Sequence, residues 1–151
     1  MDLILWRHAE AEEDRAGPER KLTAKGERQA ARVAQWLLQR LPARFTVLSS
    51  PARRALKTAA ALGVRVEAVG VLDTGGTVAH VLQAVNWQPG KRNVVVVVGH
   101  QPSLGRTAAY LLTGEERDWT IRKGGLWWLS NRVRDHEARV MVRAVLAPDL
   151  L

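Results

Sequence analysis

Short apolar runs, each ending at a charged or small residue, alternate with segments of helical periodicity along most of this chain. Leu3-Ile4-Leu5-Trp6 stops at Arg7 and His8. Four apolar residues before a charge fit a buried strand better than a helix. Phe45-Thr46-Val47-Leu48 predicts a second short strand and Val64 to Val69 a third. Asn93 to Val98 holds five consecutive valines. A run apolar on both faces predicts a central parallel strand with helices on each side.

The segments between these runs repeat their apolar residues at helical spacing. Thr23 is a predicted N-cap, after which Ala30, Val33, Ala34, Leu37, Leu38 and Leu41 make one apolar face, closed by Pro42. Gly26 sits in the first turn, read either as a close backbone approach or as chance. Ser49-Ser50-Pro51 predicts a serine-capped helix with proline at its first position, running to Leu62 and ending at Gly63. A third helix is expected from about Thr77 to Trp87, carrying Val78, Val81, Leu82 and Val85, with His80 as a surface or packing residue. A fourth starts at Pro102, buries Leu104, Ala108, Leu111 and Leu112, and closes at Gly114.

The C-terminal part changes character. Gly125 to Ser130 predicts a strand with Trp127 and Trp128 on opposite faces, Asn131 to Glu137 a charged turn holding a solvated His136. Arg139 to Leu146 alternates, with Val140, Val142, Ala144 and Leu146 on one face, which predicts an antiparallel hairpin. The expected fold is α/β: a three-layer α/β/α sandwich with a mostly parallel central sheet, helices on both faces and the hairpin at the sheet edge. Residues 1–151 are expected to form a single domain.

Composition narrows the chemistry. The chain has no cysteine, which excludes disulfides, Cys-ligated zinc and a cysteine nucleophile. There is no long apolar span and no signal-peptide pattern, so the expectation is a cytoplasmic protein without membrane association. The net charge of +8 raises nucleic-acid binding. Scattered basic residues and a single Tyr and Phe argue against it, so no nucleic-acid partner is expected. A basic surface still steers anionic substrates.

Candidate chemistry gathers at the strand ends. In an open parallel sheet the C-terminal ends face the ligand crevice. Arg7 and His8 stand at one such end, and His100, preceded by Gly99, at another; Gly99 is read as leaving room for a ligand near the backbone. Arg53 and Arg54 begin a helix, where the macrodipole disfavours cations. Beside free helix N–H groups an arginine there makes a phosphate pocket, the alternative being two exposed arginines. Arginine presents a planar fork that matches phosphate oxygens, and histidine can form a covalent intermediate. No His-x-His or paired carboxylates with metal-ligand spacing occur, so no metal or other cofactor is expected. A cation-rich pocket with a histidine nucleophile points to phosphoryl transfer. Residues 10–21, polar and holding Gly17-Pro18, predict a loop that either rims the site or merely connects.

Four motifs in order carry a family resemblance: Arg7-His8-Ala9, Leu22-Thr23-Ala24-Lys25-Gly26, the Ser50-Pro51 to Thr58-Ala59 helix start, and Gly99-His100-Gln101-Pro102-Ser103-Leu104. Together they resemble the histidine phosphatase superfamily, and within it the small SixA-like phosphohistidine phosphatases. The resemblance implies His8 as nucleophile, Arg7 and Arg54 as ligands of the phosphoryl oxygens, and His100 as a donor to the phosphoryl group. The motif spacing selects Arg54 over Arg53. Ala9 replaces the family's glycine, which matters only where that position needs a positive φ.

These roles require a neutral His8 and favour a protonated His100, so their pKa values are expected to be pushed apart. Larger relatives carry a carboxylate general acid; Asp73 and Glu10 are candidates by location only. A missing acid suits a phosphohistidine, whose imidazole departs protonated by solvent. The leading expectation is therefore a metal-independent phosphatase acting on a phosphohistidine protein, with phosphate or another oxyanion as a ligand of the site. A small phosphomonoesterase or phosphoanhydride hydrolase is the alternative, and a non-catalytic phospho-binding module a third reading.

Overall fold

The structure, a computed structural model, describes residues 1–13 and 16–151; Asp14 and Arg15 of the predicted loop 10–21 lie outside the described residues. Six strands form one sheet: β1 (Asp2–Arg7), β2 (Thr46–Ser49), β3 (Glu67–Ala68), β4 (Val94–Gly99), β5 (Leu126–Arg134) and β6 (Glu137–Leu146). Their order is β3-β2-β4-β1-β5-β6. The first four are mutually parallel, and β5 and β6 add an antiparallel hairpin at one edge. Among the described residues four α-helices connect them: α1 (Ala24–Leu38), α2 (Arg53–Ala60), α3 (Val78–Ala84) and α4 (Ser103–Thr113). No helix among the described residues is long and apolar enough to cross a membrane.

The valine run explains the layering. Val95 and Val97 pack with Leu3, Leu5, Val81 and Leu104 on one face, under α3 and α4. Val96 and Val98 pack with Ile4, Trp6, Val33 and Ala55 on the other, under α1 and α2. Alternate side chains of one strand thus seed two cores, the α/β/α sandwich expected from the pattern. Because β1 and β4 run in parallel register, Arg7 lies beside Gly99, and His8 and His100 follow at adjacent strand ends.

Several local expectations are corrected. α1 is capped by the Thr23 hydroxyl, which accepts from Gly26 N, but it ends at Leu38, and Leu38 is exposed. α2 starts at Arg53 with Ala52 as its N-cap and no side-chain cap. The Ser50 hydroxyl accepts a local bond from Ala52 N and also serves His100, as described below. The third strand shrinks to two residues, Glu67 and Ala68, which pair with Leu48 and Ser49 of β2. In the hairpin, strand pairing runs on to Arg134, leaving a tight turn at Asp135 and His136. Its register shifts between Trp128 and Leu129. Val140 therefore packs with the first core while Ala144 and Leu146 pack with the second, and the single face expected for β6 is split. The shift accompanies Arg143, whose guanidinium donates to the buried Asp2 carboxylate (2.7 Å) and stacks over Trp128. Burial would raise the Asp2 carboxyl, but hydrogen bonds from Ser130, Arg143 and Trp128 outweigh it and hold it below its ordinary value.

Candidate active site

The end of β1 delivers Arg7 and His8, the end of β4 delivers His100, and the first turn of α2 delivers Arg54. All four come together, and His8, Arg54 and His100 are buried. The Arg54 guanidinium bridges the two histidines: Nε donates to His8 Nε2 (3.3 Å) and Nη2 to His100 Nδ1 (3.3 Å). The imidazole rings stand 5.2 Å apart.

The hydrogen bonds assign the tautomers. His8 Nδ1 lies 2.8 Å from the Ala9 carbonyl oxygen, so Nδ1 carries the proton. Nε2, the nitrogen facing Arg54, keeps its lone pair. His100 Nδ1 accepts from Arg54, so its Nε2 carries the proton and donates to Ser50 Oγ (2.7 Å). Ser50 Oγ in turn donates to Asp73 Oδ1 (3.5 Å), which lies 3.9 Å from His100 Nε2. Arg7 donates from Nη1 to Ile121 O (2.8 Å), and its buried Nε has no partner among the described residues.

Backbone contacts hold these groups in place. His8 N donates to Gly99 O, tying the two strand ends together. Ala9 N donates to Thr58 Oγ1 (2.9 Å), and the Thr58 hydroxyl donates to Arg54 O (2.7 Å), joining the strand end to α2. Ala9 is buried and is not among the residues with positive φ, so alanine suffices where the family motif has glycine. A Cβ at Gly99 would meet Leu104 at ordinary distance (3.6 Å), so the space expected there for a ligand is not found. The Arg53 N–H is already taken by the Pro18 carbonyl (2.9 Å). At this helix start the Arg54 side chain is turned into the site, while Arg53 is exposed.

Both histidines are pushed down. Burial, with His100, Arg54 and Arg7 nearby, lowers His8 to about 3 against the Ala9 hydrogen bond. Burial and Arg54 lower His100 to about 4 against the pull of Asp73. The expected separation of the two values is not found, because the same burial and the same arginines act on both rings. Among the described residues no group of three or more His, Asp or Glu side chains is gathered where it could hold a metal.

A cleft of about 350 Å³ opens beside Arg54, lined by Gly17, Pro18, Arg20, Asp73 and Thr74. The loop after β1 thus rims the site at Gly17 and Pro18. Of the two carboxylates named from sequence, Asp73 lines this cleft behind His100. Glu10 lies on the other side, beside Arg7, with its carboxylate accepting from the Thr23 hydroxyl (2.8 Å). Ser50 and Thr58 stood inside a recognised motif but were read only as a cap and a helix residue. Gly124, whose N donates to Arg7 O and His8 O, was not singled out from sequence, and Gly125 was read only as the start of a strand.

A model of the histidine phosphatase superfamily (branch 1) matches residues 3–75, a span that includes Arg7, His8 and Arg54. The chain is 34% identical over 138 residues to an uncharacterized protein of Picosynechococcus sp., covering 83% of this chain and 82% of the relative. Among solved structures it is similar to the protein histidine phosphatase SixA complexed with tungstate (26% identity, 99% of both chains, TM-score 0.80). It is also similar to a candidate phosphohistidine phosphatase SixA from Nakamurella multipartitia (28% identity, 97% of this chain and 95% of that one, TM-score 0.79).

Proposed function

The chain belongs to the histidine phosphatase superfamily and is a phosphatase; from that premise we propose that it hydrolyses a protein phosphohistidine through a covalent phospho-His8 intermediate. The observation that carries the reading is Arg54 donating to both His8 Nε2 and His100 Nδ1. A phosphoryl group brought to His8 Nε2 comes within reach of that guanidinium, of Arg7 and of His100.

His8 attacks phosphorus with the Nε2 lone pair while its Nδ1–H stays hydrogen-bonded to the Ala9 carbonyl. The bond from phosphorus to the substrate imidazole breaks, and that imidazole takes a proton as it departs. Arg7 and Arg54 neutralise the oxygens, and His100, once protonated, donates from Nδ1 while Nε2 stays on Ser50. Water then attacks the phospho-His8, releasing phosphate and restoring the ring. The similarity to structures described as SixA supports phosphohistidine as the substrate, with its imidazole as the leaving group.

One observation favours a second reading. Asp73 shares the cleft with Arg54, where a carboxyl acid would assist an alkoxide leaving group, as a phosphomonoesterase needs. A paired turnover assay tests both, using a phosphohistidine protein and p-nitrophenyl phosphate with wild type and His8→Ala. Fast phosphohistidine turnover that vanishes in His8→Ala is expected. Equal or faster ester cleavage would overturn the phosphohistidine reading, and normal activity in His8→Ala would overturn the mechanism.

A further inference from the structure

On the far side of Arg7 from the Arg54 cleft lies a second depression of about 470 Å³. Its charged lining is Arg7, Lys25, Arg122 and Lys123 against Glu10 and Asp149. That volume is in the range of a ligand pocket, and the lining carries no aromatic face. Four cations against two carboxylates leave it net positive. The carboxylates are also partly engaged. Glu10 is held by the Thr23 hydroxyl, and Asp149 reaches Arg122 at 3.5 Å with both side chains exposed. Lys123 meets Glu13 only at 3.9 Å, at an exposed position. Exposed pairs of this kind are weak and readily exchanged for an incoming anion.

The cations stand on a backbone fixed to the nucleophile. Gly124 N donates to the carbonyls of Arg7 and His8, and Arg7 Nη1 donates to Ile121 O, so the segment bearing Arg122 and Lys123 is tied to the end of β1. A Cβ at Gly124 would come within 3.2 Å of Gln29 Cβ, and one at Gly26 would overlap the Glu10 carbonyl. The first turn of α1, which carries Lys25, is therefore pressed against the same strand end. Three separate elements hold a positive cleft at a set position beside Arg7, the neighbour of the nucleophile in sequence.

We propose that this cleft docks carboxylate side chains that flank the phosphorylated histidine of the protein substrate; the proposal rests on the phosphohistidine reading for its substrate and on this cleft for its chemistry. Carboxylates suit it better than a nucleic acid, because bases need aromatic stacking faces that the lining lacks. Rim charges of this type act on encounter and on salt dependence more than on the chemical step.

The test uses short peptides with a central histidine flanked by glutamates or by lysines, each unphosphorylated or phosphorylated with phosphoramidate. Equilibrium binding is read on the His8→Ala protein, so docking is decided whether or not turnover occurs. The glutamate-flanked peptide should bind on the order of tenfold tighter, the sum of two exposed charge pairs. The preference should fade as salt rises to about 0.15 M, where the Debye length shortens to about 8 Å. It should disappear in Lys25→Glu/Lys123→Glu. It should survive in Arg65→Glu/Arg92→Glu, which lowers the net charge equally at exposed positions outside the cleft.

Equal binding of the two peptides, a preference surviving Lys25→Glu/Lys123→Glu, or its loss in both double variants would overturn the proposal. So would an oligonucleotide that outcompetes the acidic peptide. With the wild-type protein, the ratio of kcat/KM between the two phosphopeptides should follow the binding preference. Binding that behaves as expected, with no turnover of either phosphopeptide, would retain the docking cleft and reject the phosphohistidine substrate.

Discussion

Replacing Arg54 with methionine should abolish most of the activity and leave the protein as stable as before or more so. Arg54 is 4% exposed and has no ion-pair partner among the described residues. Its guanidinium makes three hydrogen bonds to neutral acceptors, at 3.3 Å to His8 Nε2, 3.3 Å to His100 Nδ1 and 3.4 Å to Gly17 O. These distances are at the long end of the range. Each such bond contributes about 1 kcal/mol or less, whereas a buried charge whose nearby carboxylate, Asp73, lies beyond ion-pair distance costs more than these bonds return. Methionine keeps the apolar stem and removes the charge, so the folded state should gain about 0–2 kcal/mol. For a domain of this size that raises Tm by about 2–4 °C per kcal/mol. The activity moves the other way. Loss of one preorganised donor costs about 10²–10³ in rate, and Arg54 presents two, so kcat/KM should fall on the order of a thousandfold or more. Arg53→Met, at an exposed neighbour, should change stability by about 0.5 kcal/mol or less and leave turnover intact. Thermal and urea unfolding beside phosphohistidine turnover read both effects. A methionine variant that loses more than about 2 kcal/mol, or keeps activity within about tenfold of wild type, would refute the assignment of Arg54 as a buried, functional cation.

Three further outcomes are expected. His8 at about 3 and His100 at about 4 lie below the ordinary value of 6.5, so the unfolded chain takes up protons on them that the folded chain does not. Their contribution to stability is full above pH about 6.5 and is lost as pH falls toward 4 and 3. Tm should therefore drop on acidification from neutrality, and His100→Asn should flatten that slope; an unchanged slope would count against the buried neutral ring. Gly26→Ala should destabilise by several kcal/mol in a denaturant titration although alanine is the better helix former, because its Cβ would overlap the Glu10 carbonyl. Gly70→Ala, with nothing within 4 Å of the new Cβ, should stay within about 0.5 kcal/mol. Ser50→Ala removes the acceptor of His100 Nε2–H and should lower kcat about tenfold with little change in KM and a shifted pH profile, whereas Ser50→Thr should restore both.

The sequence made the layers and the site's convergence legible for one physical reason. A parallel strand buried on both faces must be apolar throughout, so the point where Val98 gives way to Gly99-His100, or Trp6 to Arg7-His8, marks a strand end at the crevice. What stayed hidden depends on partners distant in sequence. The bulge opposite Trp128 goes with Arg143 reaching Asp2, two residues 141 positions apart. The third strand pairs only Glu67 and Ala68, with Leu48 and Ser49 of β2, a register that residues 64–69 cannot reveal. Ser50 followed by proline satisfies the local rules for a helix cap, yet its hydroxyl is committed to a histidine 50 residues away. Gly26 was ambiguous for the same reason, since the carbonyl that forbids a side chain there belongs to Glu10.

The pKa expectation failed differently, and the failure bears on mechanism. Separating the two histidines requires a charge that acts on one ring more than on the other. The protein's own charges near them are mainly Arg7 and Arg54, and both rings feel these cations and the same burial. Asp73 pulls His100 upward, but from behind the ring, by Nε2, where Ser50 already accepts the proton. A neutral His8 needs no base to remove a proton before it attacks. A neutral His100, by contrast, presents a lone pair at Nδ1 and cannot donate there. On the proposed mechanism the missing charge arrives with the substrate, since a phosphoryl dianion close to Nδ1 favours the imidazolium. The Asp73–Ser50–His100 chain holds the ring's other proton in place while that happens. The donor is then formed by the same group it serves, so the asymmetry between the two histidines belongs to the complex with substrate and not to the chain alone.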